Sequence, residues 1–351
     1  MRAGFVYPNS RRQLLGDVAA GRAPDSGLLG MNHLTEHGIE AAVVEPRVQG
    51  TNRLRWHVRE IALAFEVRGF DVLATPLSYH LPLLMRLTRG PRSVVLNYGL
   101  TTIFGRASRA RRRLLSESLR SAAFVVSLGS SQRDEITALA GLDPDRSLFA
   151  PFGVDADFFQ PDKRSAEPLV LTVGKDLARD LATFGSAVAG LPVRIVAVTL
   201  PRNLAGVDLP DNVEVLHEIS WEHLRSLYAS ASVVVIPLRA STYRLGSEAS
   251  GLTALLEAMA MARPVVATDR SVFADYVTRD VDAGLVQPED PGALREAILR
   301  VLEAPEAAEA MGVSARLAVE HRFTSRQFAA RLAPVLRAAL ANNTGADNRS
   351  G

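Results

Sequence analysis

The sequence predicts two successive doubly wound α/β units. Short apolar runs alternate with longer stretches at helical spacing along almost the whole chain, the pattern of right-handed crossovers and a parallel sheet covered on both faces. The alternation ends near residue 150 and restarts at 169. Between the two lies 151–168, PFGVDADFFQPDKRSAEP, with three prolines and no sustained periodicity, the composition of an extended linker.

In chain order, 3–7 (AGFVY), 41–45 (AAVVE), 71–74 (DVLA), 93–97 (SVVLN) and 123–127 (AFVVS) read as strands, being short and apolar, while 56–68 and 107–121 have helical spacing. In the second run, 169–173 (LVLTV), 193–199 (VRIVAVT), 213–216 (VEVL), 232–236 (SVVVI) and 264–268 (PVVAT) read as strands, separated by helical stretches at 178–189, 221–230, 252–262 and 291–303. A last helical pattern covers 324–341, and NNTGADNRSG at 342–351 has the composition of a disordered tail. The expected organisation is therefore a first domain over 1–150, a linker over 151–168, a second domain over 169–320, a terminal helix over 321–341 packing back on the first domain, and a tail.

Composition narrows the function. The chain has 351 residues, 47% hydrophobic and 22% charged, which fits a packed globular protein of two domains. It has no cysteine, which excludes a disulfide scaffold, a cysteine nucleophile and an iron–sulfur cluster. Residues 1–150 carry 20 basic against 13 acidic side chains, and the remainder 20 against 25. Halves of opposite sign suggest different partners, yet the excess is too small for a dedicated nucleic-acid binder. The only lysines are Lys163 and Lys175. No run reaches 18 apolar residues, and the start, MRAGFVYPNSRRQ, reads as a first strand and not as a secretory signal; the cytoplasm is the expected compartment.

In open parallel sheets ligands bind beyond the carboxyl ends of the strands, so the loops there carry the chemistry. In GSEASGLTALLEAMAMARPVVAT at 246–268, Leu252, Leu255, Leu256, Met259 and Ala260 form a buried helical face. Ser250 reads as the N-cap and Gly251 as a close-approach residue, so the turn 250–253 would aim free N–H groups at an anion. An ordinary capped helix explains the same residues. In LTVGKDLARDLATF at 171–184, Gly174 and Lys175 end a strand and Arg179 follows four residues on; by themselves these read as a surface Lys and Arg in the first turn of a helix.

These segments resemble the retaining glycosyltransferases of family 4, which adopt the GT-B fold of two Rossmann-like domains facing a central cleft. The resemblance extends to 24–46, 125–161, 284–303 and 321–336. It implies that Glu257 holds the donor ribose, that Ser250, Gly251, Leu252 and Thr253 receive the diphosphate, and that Gly174, Lys175 and Arg179 neutralise it as it leaves. The family's sugar-contacting glutamate falls on Ala249 here, with Glu248 one residue earlier taking that role. A family glycine near the end of this motif is replaced by Ala262. The family's histidine after the strand at 93–97 is replaced by Asn97 and Tyr98; with Gly27 of the glycine loop and His80, these are the acceptor-side candidates.

Other motifs carry less. HLTEH at 33–37 spells an inverted zinc-protease pattern without an evident third ligand. The Asp143/Asp145, Asp155/Asp157 and Asp280/Asp282 pairs fall in turns and read as caps. No metal is expected. RASRARRRLLSESLR at 106–120 reads as a solvated basic helix face, with weak peripheral membrane contact as the other reading. The expectation is a retaining glycosyltransferase that moves a sugar from a nucleotide-sugar donor to the hydroxyl of a small molecule, glycan or lipid-linked acceptor, with no cofactor beyond the donor. The alternatives are a nucleotide-sugar epimerase or hydrolase, and a non-catalytic nucleotide-sugar binder or partner subunit.

Overall fold

A computed structural model describes residues 1–44, 62–63, 65–76, 78–162, 167–243 and 245–347. The expected helix at 56–68 lies largely outside the described residues, as do Glu45, Lys163 and 348–351. The chain divides into two compact units. Met1–Gly16, Gly27–Phe152 and Ser325–Gly351 form the first, and Asp17–Ser26 with Gly153–Thr324 the second.

The first unit is built on β1 (Arg2–Phe5), β2 (Glu40–Val43), β3 (Val72–Thr75), β4 (Arg92–Asn97), β5 (Phe124–Ser127) and β6 (Ser147–Phe149). All pairs are parallel, in the order β2-β1-β3-β4-β5-β6. Its helices are α1 (Arg12–Ala19), which runs on into the residues of the second unit, α2 (Leu81–Thr88), α3 (Leu100–Arg106), α4 (Arg109–Ser121) and α5 (Ser130–Ala140). Val94, Val95 and Leu96 are fully buried, as a central parallel strand covered on both faces requires. The α4 helix starts where Ser108 accepts a hydrogen bond from the Arg111 N–H.

The second unit repeats the plan with β7 (Leu169–Val173), β8 (Arg194–Val198), β9 (Val213–Leu216), β10 (Val233–Ile236), β11 (Val265–Thr268) and β12 (Gly284–Val286). The order is β12-β11-β10-β7-β8-β9, the doubly wound arrangement whose crossover direction reverses between β7 and β10. Its helices are α6 (Leu181–Val188), α7 (Trp221–Ser230), α8 (Leu252–Ala260), α9 (Pro291–Glu303) and α10 (Pro305–Arg322). Asp180, Ser220 and Asp290 cap α6, α7 and α9 by accepting from the N–H groups of Thr183, His223 and Ala293. The short strands β6 and β12 were not legible as strands, since three residues give no period to read.

Two expectations change. Residues 153–162 are not a free linker: Phe159 is buried, Val154 bridges Thr324, and Asp155 accepts from the Asp25, Asp157 and Phe158 N–H groups. Those contacts also tie 17–26 into the second unit. The final helix, α11 (Ser325–Asp347), begins one residue after the expected 324 and continues past 341, so residues 342–347 are helical where a disordered tail was expected. It packs on the 3-10 helix Met31–His37 and on β3 and β4 of the first unit. Gly30 there has φ +71°, and a Cβ on it would lie 3.0 Å from the Ala329 backbone nitrogen, which explains the glycine of that loop.

Candidate functional site

The carboxyl end of β7 leads directly into Gly174. Its N–H donates to the Val198 carbonyl (2.9 Å), and its carbonyl accepts from the Thr199 hydroxyl (2.8 Å). The turn after β8 thus grips the chain after β7: Asn203 donates to the Asp176 carbonyl (3.3 Å) and Arg202 to the Lys175 carbonyl (3.1 Å). With its carbonyl held, Lys175 presents an exposed side chain.

Arg179 is the unusual residue of the site. It is 6% exposed, and its Nε and Nη1 have no hydrogen-bond partner in the structure. Its guanidinium lies over Gly174, where a Cβ would come within 1.8 Å of Nε; only glycine admits it. Burial pulls the Arg179 pKa down to about 10, against the opposing pull of Tyr228, Asp176 and Glu257. A buried guanidinium with unused donors is costly unless something anionic completes it.

Glu257, on α8, is 4% exposed and accepts a hydrogen bond from the Tyr228 hydroxyl of α7 at 2.9 Å. Burial pushes its carboxyl up to about 7, while the Tyr228 hydroxyl, Arg179 and Lys175 act in the opposite direction. Tyr228 is itself raised, first by burial and then by Glu257. Glu257, Arg179 and Lys175 therefore share one electrostatic neighbourhood.

The α8 helix opens without a side-chain cap. Its N-cap is Gly251, at φ +86°, and not Ser250 as the sequence suggested. Ser250 is buried, and its Oγ has no hydrogen-bond partner. Gly251 is required on two counts, since a Cβ there would lie 2.9 Å from Ile236 Cγ2. Leu252 donates to Ala249 and Leu255 to Gly251. Among the described residues no such backbone bond is made by the N–H groups of Thr253 and Ala254, and Thr253 is exposed. The preceding loop is pressed onto the turn after β7: a Cβ on Gly246 would lie 2.2 Å from that of Ala178. Ala262, where the family resemblance expects glycine, has φ +53°, a conformation in which glycine is unstrained.

Glu248 is partly buried on this loop and is felt by Arg270, as is Asp176. Arg270 is 8% exposed at the end of β11, and its Nη1 donates to the Arg239 carbonyl at 2.8 Å. The second unit thus gathers Gly174, Arg179, Glu257 and the α8 N-terminus, and adds Tyr228, Asn203 and Arg270, which sequence reasoning missed. Tyr228 carries no sequence signal beyond its place in the helical stretch 221–230; Arg270 could have been sought as the first cation after a strand.

The acceptor-side candidates behave differently. Asn97 is fully buried, and its Oδ1 accepts from the Gly99 and Leu100 N–H groups (3.2 and 2.9 Å) while its Nδ2 donates to Ser127 (3.1 Å). It holds the start of α3 and cannot meet an acceptor hydroxyl, which corrects the expectation. The Tyr98 ring packs edge-on against Phe152 at 6.2 Å. His80 is the N-cap residue of α2 but makes no side-chain capping bond, and Gly27 is exposed in the 3-10 helix Asp25–Leu28.

In the 33–37 motif, His33 pairs with Glu36 (3.1 Å) and Glu36 with Arg326. Among the described residues no group of three or more His, Asp or Glu could hold a metal ion. Asp143 caps the turn at 144–146, and Asp282 accepts from the Thr278 N–H. On α4, Arg109, Arg111, Arg112 and Arg113 are exposed beside Leu114. No helix among the described residues is long and apolar enough to cross a membrane.

Comparison with known proteins bears on the fold and on the sequence of the second unit. The family described as Glycosyl transferases group 1 matches residues 200–318. A D-inositol 3-phosphate glycosyltransferase from Geodermatophilus obscurus is 31% identical over 194 residues, 46% of this chain and 41% of that protein. The O-antigen chain mannosyltransferase RfbU of Salmonella typhimurium is 32% identical over 111 residues, 32% of this chain and 29% of that protein. The matched chain thus spans less than half the length of these relatives. Among solved structures, a sucrose-phosphate synthase from Thermosynechococcus elongatus superposes with a TM-score of 0.76 at 17% identity, covering 97% of this chain and all (100%) of that one. Anabaena Alr3699/HepE, in complex with UDP-glucose, gives 0.73 at 14% identity, covering 96% and 99%. The architecture is the two-unit α/β GT-B fold, and residues 200–318 are similar to the group 1 glycosyl transferases.

Proposed function

We propose that this chain is a retaining glycosyltransferase that carries a sugar from a nucleotide diphosphate to an acceptor hydroxyl. The observation that carries the reading is Arg179: a buried cation with two unpartnered N–H positions, at the carboxyl end of the strand where the sheet's crossover direction reverses. A diphosphate supplies the missing acceptors. Lys175 and the N–H groups of Thr253 and Ala254 add to the same positive field, and Glu257, held by Tyr228, is the acceptor for ribose hydroxyls. Glu248 would contact the sugar, with Arg270 orienting it.

In this reading the bond between the anomeric carbon and the phosphate oxygen breaks as the acceptor oxygen attacks from the same face. The departing phosphate takes the acceptor's proton. Negative charge grows on the leaving oxygen, and cations already fixed in place stabilise it without reorganisation. The acceptor is assigned to the first unit, through His80, Tyr98 and the loop at Gly27, without Asn97. The solved relative that holds UDP-glucose makes a uridine donor the first to try.

The test is a thermal-shift screen against UDP, GDP, ADP and dTDP, then turnover with the matching sugar donors, on wild type and Lys175→Ala. One nucleoside diphosphate should raise the midpoint, and Lys175→Ala should lose turnover while melting as wild type does. A chain that ignores all four nucleotides would falsify the reading.

A further inference from the structure

A second basic site lies in the first unit, at the opposite end of its sheet from Asn97 and Tyr98. A cavity of about 300 Å³ is lined by Arg86, Arg89 and Arg92, with Ser93, Ser121 and Met85 among its walls. Among the described residues no acidic side chain lines it. Arg92 and Ser93 open β4, whose other end, at Asn97, is about 17 Å away at the ordinary rise of a strand.

Two features show that the site is built. Ser93 lines the cavity and is 1% exposed, and its buried Oγ has no hydrogen-bond partner among the described residues. A buried hydroxyl left unpaired is uncommon. Arg89 stands at φ +51°, a left-handed conformation that a long side chain adopts only at a cost. The turn enforces it: the Arg89 and Gly90 N–H groups both donate to Met85, and a Cβ on Gly90 would lie 2.8 Å from the Met85 sulfur. The strained turn brings Arg89 and Arg92 to one cavity.

The three arginines are nearly unspent. Arg86 donates to Ser121 at 3.2 Å, and among the described residues none of the three pairs with a carboxylate. Beyond the wall, Arg146 is held on the Ala122 and Ala123 carbonyls and feels the positive charge of Arg92. Planar guanidinium forks with a hydroxyl donor match a tetrahedral oxyanion, and the volume sits at the lower end of ligand pockets, large enough for more than the anion alone.

We propose that this cavity binds the phosphoryl group of a phosphomonoester, at a site separate from the donor site and belonging to the other unit. The group can come from a soluble phosphomonoester or from an anionic lipid headgroup.

The test measures the melting midpoint in chloride buffer and after exchange into inorganic phosphate at equal ionic strength. A parallel arm measures flotation with vesicles containing phosphatidic acid, whose headgroup is a phosphomonoester, against phosphatidylcholine vesicles. Wild type should gain about 2–4 °C from millimolar phosphate. Lys175→Ala should keep that gain, because the donor site lies elsewhere, and Arg89→Asn and Arg92→Gln should lose it. Asparagine accepts the left-handed backbone, so Arg89→Asn should melt in chloride at or above wild type; it carries the test if Arg92→Gln fails to fold. Flotation lost in Arg89→Asn, with no gain from free phosphate, would assign the phosphoryl group to lipid. A gain equal in wild type and Arg89→Asn, or neither gain nor flotation in wild type, overturns the proposal.

Discussion

The two units share one plan and use the carboxyl ends of their sheets in opposite ways. In the first unit the polar residue ending β4 is spent inside the protein: Asn97 binds the Gly99 and Leu100 N–H groups and Ser127, with nothing left for solvent. In the second, β7 ends in a glycine that leaves room for Arg179, a cation with donors to spare. One sheet end is closed and neutral, the other buried and charged. Fold alone therefore does not make a site; what differs is whether the local polar groups satisfy one another.

The sharpest way to break this contrast is Arg179→Gln. If Arg179 serves a leaving diphosphate, turnover should fall about 10²–10³-fold with the melting midpoint held within a few degrees. A midpoint that drops with the activity would make Arg179 a structural cation. Gly174→Ala should act through the same guanidinium, because the added methyl would overlap Nε at 1.8 Å; a loss near 10²-fold is expected from displacing it. Unchanged kinetics in that variant would show that Arg179 has no required position.

A third effect is read in pH. The folded-state pKa of Glu257 is raised to about 7 from an ordinary value of 4.5, so between those values the folded chain holds a proton that the unfolded chain has lost. Stability should therefore fall as pH rises through that window, by at most about 1.4 kcal/mol per pH unit. Glu257→Gln should flatten this slope and weaken nucleotide affinity. Parallel slopes in urea unfolding of the two proteins would mean that Glu257 is ionised throughout. The smallest change is Asn97→Ala, expected to cost about 1–3 kcal/mol in the same unfolding measurement while leaving donor KM alone. A changed donor KM would open the closed sheet end to function.

Much of this was legible in the sequence, for reasons that hold residue by residue. Runs such as VVVI at 233–236 and VVLN at 94–97 are apolar without alternation because parallel strands are buried on both faces. The turn at Gly251 was legible because only glycine tolerates its φ and its contact with Ile236. Ser250 was misread as a cap because a serine before a helix looks alike whether its hydroxyl turns outward or inward. Asn97 was misread because a side chain that ends a strand looks alike whether it serves a ligand or the next helix.

The sequence by itself determined the two-unit parallel architecture, the position of the charged loops after β7 and before α8, and the absence of cysteine chemistry. These are local or periodic properties, written within a few neighbouring residues. Only the tertiary structure decided that Tyr228 meets Glu257, that Arg179 lies buried over Gly174, that Asn97 is spent on Ser127, and that Arg86, Arg89 and Arg92 share one cavity. The first three join elements far apart in the chain or turn a side chain inward, and the last depends on a strained turn. Which polar groups satisfy one another, and which remain free for a ligand, is a property of packing and not of spacing.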